Sequence, residues 1–146
     1  MVLLKAQRLQ RLAEKLGRIE ARLARAAGEV ETAEAEGVET ALEDAAAGTG
    51  VELTAVRRLD GATLERALWA GGRPDPGRLW AAAEVLWLDA LRAEAEGEAA
   101  VAEDRLRKAR RLYARAAETT GLQLPADAPT PEERLRAVDE RLEGGG

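Results

Sequence analysis

Any chemistry in this chain must come from its carboxylates, three lysines (Lys5, Lys15 and Lys108), Tyr113 and eight threonines, because its 146 residues include no His, Cys or Ser. That composition leaves no serine or thiol nucleophile, no imidazole base and no disulfide. It also lacks the ligands from which zinc sites are built. A carboxylate–Mg²⁺ enzyme is the form of catalysis these residue types still allow. The nearest approach to one is Glu31-x-x-Glu34 followed by Glu36-x-x-Glu39, each placing two acids on a shared helix face. Mg²⁺-dependent hydrolysis of a nucleotide would need a second acidic pair on a facing helix. Glu84 and Asp89 stand five residues apart, which does not converge. The acids therefore read as a solvated face and the chain as a non-enzyme, with no cofactor or metal expected.

The element that carries most of these charges is a helix expected over residues 5–44. Its first half, Lys5 to Arg25, is basic, and its second half, Glu29 to Asp44, is acidic without a single base. This order opposes the helix dipole, which favours acids at the N-terminus and bases at the C-terminus. Such a helix needs something packed against it. Leu9, Leu12, Leu16, Ile19, Leu23, Ala26, Val30 and Ala33 follow alternating steps of three and four, the a and d positions of a coiled coil. Near Gly37 the seam slips by about one residue, to Val38, Leu42 and Ala45, which predicts a bend there.

The positions flanking this seam suggest a partner. With Leu9 at a, the g positions are Arg8, Lys15, Arg22, Glu29, Glu36 and Glu43. In an antiparallel pair of copies, Arg8 meets Glu43, Lys15 meets Glu36 and Arg22 meets Glu29, about one two-fold axis near Arg25–Ala26. The expected interface is thus Arg8, Leu9, Leu12, Lys15, Leu16, Ile19, Arg22, Leu23, Ala26, Glu29, Val30, Glu36 and Glu43. The expected partner is a second copy, or another helical protein. The seam is equally open to being covered by the chain's own helices. The row Arg8, Arg11, Lys15, Arg18, Arg22 and Arg25 also matches what a phosphate backbone or anionic membrane requires. It has no interleaved aromatic residue, and the acidic half would repel a polyanion that ran on past it. With a net charge of −5, a solvated or partner-paired face is the favoured reading and nucleic acid the less favoured partner.

Further along, the pattern stays helical. Asp60 can cap a helix over residues 61–70, ended by Gly71-Gly72, although Asp60-Gly61 is also a hairpin signal. Asp75-Pro76 starts a helix that is apolar almost all round from Leu79 to Leu91. Gly97 separates it from a helix over residues 98–117. Residues 121–130 read as a linker, and Thr130-Pro131-Glu132-Glu133 opens a last helix. The fold class is all-α: a long N-terminal coiled-coil-like helix (1–47), then a small bundle of short helices and a helical hairpin (48–120), then a linker and C-terminal helix (121–146). No run approaches membrane-spanning length, so a soluble, cytoplasmic protein with no membrane partner is expected.

Leu59-Asp60-Gly61-Ala62-Thr63-Leu64-Glu65-Arg66-Ala67-Leu68, Gly71-Gly72-Arg73-Pro74 and Leu79 to Leu86 together resemble the helix-turn-helix of the Xre and HigA-antitoxin family. The resemblance covers roughly residues 41–86. It implies a recognition helix beginning at Asp60, with Thr63 and Arg66 as its DNA-contacting residues, and a transcriptional regulator or antitoxin as the alternative function. The chain departs from that pattern with Gly61, Ala62, Glu65 and Trp69 on the same helix, and with Arg58 where a turn glycine is usual.

Overall fold

The computed structural model describes residues 4–25 and 32–144, with backbone alone at 25 and 32–36. Among the described residues, seven helices and one small ribbon follow in order: α1 (Ala6–Arg25), α2 (Thr32–Gly48), α3 (Leu53–Arg58), α4 (Gly61–Ala67), β1 (Trp69–Ala70), β2 (Arg73–Pro74), α5 (Pro76–Ala95), α6 (Ala99–Glu118) and α7 (Pro131–Gly144). The chain is mostly helical, as its periodicity requires.

α5 is the centre. Every side chain from Leu79 to Ala90 is buried, and α1, α2, α3 and α6 all pack on it. Asp75 starts it as the sequence suggests, its carboxylate accepting from Gly77 N and Arg78 N, with Pro76 in the first turn. α5 ends at Ala95, and Gly97 just beyond it, with φ of 77°, lets the chain reverse into α6. Thr130 caps α7, accepting from Glu133 N at 3.2 Å while its own hydroxyl donates to Glu133 Oε1 at 3.1 Å.

The N-terminal region departs from the sequence expectation. The single helix over 5–44 is two helices, and they pack side by side. A methyl group placed on Gly48 would lie 3.3 Å from Leu12 Cδ1, and one on Gly37 would lie 3.7 Å from Arg22 Nη1. The start of α1 therefore meets the end of α2, and the end of α1 meets the early turns of α2: the pair is antiparallel. The bend expected near Gly37 is not where the two helices divide, because α2 continues through that residue from Thr32 to Gly48. The slip of the seam instead turns Val38, Leu42, Ala45 and Ala46 into the one core that holds Leu9, Leu12, Leu16 and Ile19. Folding back also sets the two helix dipoles antiparallel and lays the basic helix beside the acidic one, relieving the order that a lone helix would carry.

Within residues 51–70, Leu53–Arg58 and Gly61–Ala67 are helical, but Trp69–Ala70 form a strand, so the helix expected over 61–70 stops at Ala67. Asp60-Gly61 is a cap: the Asp60 carboxylate accepts from Thr63 N at 2.8 Å. The hairpin lies one element later, where Trp69 pairs with Pro74 and Ala70 with Arg73. Its turn is Gly71-Gly72, with φ of 60° and 79°, the left-handed pair that a tight two-residue turn demands.

Candidate functional site

Two buried carboxylates on α5 organise the interior polar groups. Asp89 is 1% exposed and is surrounded by guanidinium groups. Arg57 of α3 donates through Nε (3.1 Å) and Nη2 (2.8 Å), Arg92 through Nε (2.9 Å), and Arg105 of α6 through Nε (2.8 Å). Arg57 also forks onto Glu39 of α2 at 2.6 and 2.8 Å, and Lys108 Nζ caps the Arg57 carbonyl at 2.7 Å. Burial alone would raise the Asp89 carboxyl; the Arg57 and Arg105 hydrogen bonds outweigh it and hold Asp89 below the usual range. For Glu39, the Arg57 hydrogen bonds likewise hold its carboxyl down.

The second carboxylate, Glu84, is 2% exposed. It accepts from the Tyr113 hydroxyl of α6 and from Arg134 of α7, at 2.8 Å (Nε) and 3.1 Å (Nη2). Arg134 also reaches Glu20 of α1 at 3.0 Å, and Glu20 accepts from Trp87 Nε1 at 3.2 Å. Arg134 and Arg141 both lie over the Trp87 ring, at 5.0 and 5.2 Å from its centre. Burial pushes Glu84 up despite its partners and raises the Tyr113 hydroxyl well above its ordinary value. At Glu20 burial acts upward, but Arg134 and Trp87 pull harder and lower it.

These networks join helices. Glu84 and Asp89 sit in separate ionic clusters, as their spacing forecast. Glu31, Glu34 and Glu36 fall outside the described side chains, and Glu39 is spent on Arg57. Among the described residues no group of three or more acids is placed to hold a metal ion. Sequence reasoning did not find the Glu20–Arg134–Glu84–Tyr113 chain. Its one signal was a pair of charges inside an apolar helix, which must be matched by partners when buried.

The interface residues expected on the N-terminal helix divide by direction. Leu9, Leu12, Leu16 and Ile19 are 2–6% exposed, covered by the chain's own α2 and α5, and Leu23 packs at the core's edge. Ala26, Glu29, Val30 and Glu36 lie outside the described side chains. Glu43 is exposed on α2. Arg8, Arg11, Arg18 and Arg22 point outward and Lys15 is half-buried; among the described residues none of the five forms an ion pair. Arg8, Arg11 and Lys15 line a groove between α1 and α2 together with Leu12, Asp44 and Gly48.

α4 is the remaining candidate. Thr63 and Arg66 are both exposed, alongside Ala62 and Ala67. The Thr63 hydroxyl donates to Asp60 at 2.9 Å, and the Arg66 guanidinium stacks 4.2 Å above the Trp69 ring. Gly61 and Glu65, on the neighbouring face, are covered by α6: Arg111 lies against Gly61, and Arg111 and Arg115 approach Glu65 at 3.4 and 3.3 Å. No described helix is long and apolar enough to cross a membrane. Neither a protein-family model, nor a curated protein, nor a solved structure matches this chain.

Proposed function

We propose that this chain is a non-enzymatic helical interaction protein that works through its N-terminal helix. The supporting observation is a contrast in how cations are used. Most Lys and Arg side chains between Arg57 and Arg141 are ion-paired, several of them in buried networks. Arg8, Arg11, Arg18 and Arg22 of α1 are displayed outward on a helix whose apolar face is anchored inside. Such a face is a surface for a partner.

A homodimer remains one form of this reading. In it, Arg8, Lys15 and Arg22 of one copy oppose Glu43, Glu36 and Glu29 of the second. Because Leu9, Leu12, Leu16 and Ile19 are consumed within the chain, such a dimer rests on exposed pairs worth about 0.2–1 kcal/mol each, unless α1 is exchanged between copies. Sedimentation velocity at low and physiological salt tests it. Self-association should weaken with Arg22→Glu and return when Glu29→Arg is added. A monomer at tens of micromolar at both salts ends the homodimer and leaves a different partner for α1.

The second reading is a helix-turn-helix DNA-binding regulator. Its favouring observation is that α3 and α4 are separated only by Leu59 and Asp60, with Thr63 and Arg66 on the open side of α4. A titration against genomic DNA fragments tests it: sequence-selective binding that Arg66→Ala relaxes supports this reading, and absence of selectivity ends it.

A further inference from the structure

Resting on the reading that α1 is the interaction element, we propose that its basic row docks on the phosphate backbone of a nucleic acid. Arg8, Arg11, Lys15, Arg18 and Arg22 occupy less than a quarter of the helix circumference and run for about 21 Å along it, at 1.5 Å per residue. None of them is ion-paired among the described residues; Asp44 is the acid that lines the groove beside them. The five cations form a narrow stripe along the helix axis, able to meet successive phosphates.

The inward orientation of the seam selects this partner over the others. A partner helix would bind mainly by apolar packing, and α1 has no apolar face left to give it. Ion pairs between exposed side chains contribute little by themselves. A membrane surface takes cations spread in a plane and an apolar wedge below them, and the wedge here is inside the protein. A nucleic acid differs because neutralising its phosphates releases condensed counterions, so cations alone generate affinity. Five cations with no interleaved aromatic side chain meet phosphates and not base edges, so the row carries charge recognition.

Fluorescence anisotropy of the full chain with a mixed-sequence duplex of about 20 base pairs, between about 50 and 200 mM salt, tests this. Five phosphate contacts give a log–log slope of about −4.5, or roughly 500-fold weaker binding across that range. Replacing Arg11 and Arg18 by Gln, both exposed, should reduce the slope to about −2.7 with an unchanged circular dichroism spectrum. Arg66→Gln should leave the slope where it was. Absence of binding at the lowest salt, a slope unmoved by the Arg11→Gln/Arg18→Gln pair, or equal affinity for phosphatidylserine vesicles or polyglutamate overturns the proposal. If the duplex fails while Arg22→Glu weakens self-association, or the Arg11→Gln/Arg18→Gln pair abolishes polyglutamate binding, the inference falls and the α1 reading stands. If none of these responds, both fall.

Discussion

Leu12 of α1 packs against Gly48 at the end of α2, so closely that a methyl group there would stand 3.3 Å from Leu12 Cδ1 and 3.5 Å from Cδ2. This contact sets the register of the N-terminal pair. Gly48→Leu should force the helices apart and lower stability by about 1–3 kcal/mol, as overpacking does. Adding Leu12→Ala should recover part of that loss, because the new side chain then fills the space Leu12 vacates. A double-mutant cycle by urea denaturation reads the coupling, which should be about 0.5 kcal/mol or more. Additive losses would show that the two positions do not touch.

The same contact offers a test of whether α1 stays with its own chain. The protein has no cysteine, so Leu12→Cys with Gly48→Cys introduces a single pair. Leu12 Cγ lies 4.0 Å from the Gly48 methyl position, within reach of a disulfide after small adjustment. On oxidation at low concentration the chain should run as a compact monomer on a non-reducing gel. A disulfide-linked dimer would mean that α1 is exchanged between copies.

Asp89 holds three helices through Arg57, Arg92 and Arg105. Asp89→Ala leaves those guanidiniums facing each other around a buried void. It should cost about 3–5 kcal/mol, the usual price of removing one partner from a buried ionic group. Asp89→Asn, which keeps the shape and an acceptor oxygen, should cost less. Equal losses from the two variants would mean that the charge carries the whole contribution and the retained shape and acceptor oxygen carry none.

The pH dependence follows from opposed carboxylates. Asp89, Glu39 and Glu20 have lowered values, so their stabilisation is present above their unfolded values of about 4 and is lost as pH falls through the lower folded ones. Glu84 is raised: its contribution is present below about 4.3 and is lost as pH rises through its folded value. The urea midpoint should therefore rise from neutral toward mildly acidic pH, then fall in stronger acid. Glu84→Gln should remove the rise and leave the acid-side fall. A profile unchanged by that substitution would assign the rise to another group.

Much of this architecture is legible in the residues themselves. Asp75-Pro76, Gly97 and Thr130-Pro131 mark the ends of α5, α6 and α7 because caps, left-handed turns and proline act locally. The reversal between α1 and α2 was not, because the heptad pattern runs on in phase through Val30, and only the later slip to Val38 and Leu42 hinted at a change of face. Gly71-Gly72 was read as a helix terminator; its role as a hairpin turn depended on Trp69 and Pro74 meeting. The partners of Glu84 and Asp89 were also hidden. Periodicity shows that a charge is buried, but Tyr113 and Arg134 are 29 and 50 residues from Glu84. The basic row was visible as sequence, while its direction was decided by which face the core took.

Trp87 stands where these pieces meet, with its indole nitrogen on Glu20 of α1 and its ring beneath Arg134 and Arg141 of α7. A fluorophore held between a carboxylate and two guanidiniums feels a strong local field, and that field changes when either helix leaves. The chain thus carries its own optical gauge. In a protein keeping Trp87 as its sole tryptophan, emission colour would follow the seating of the first and last helices, with no added dye.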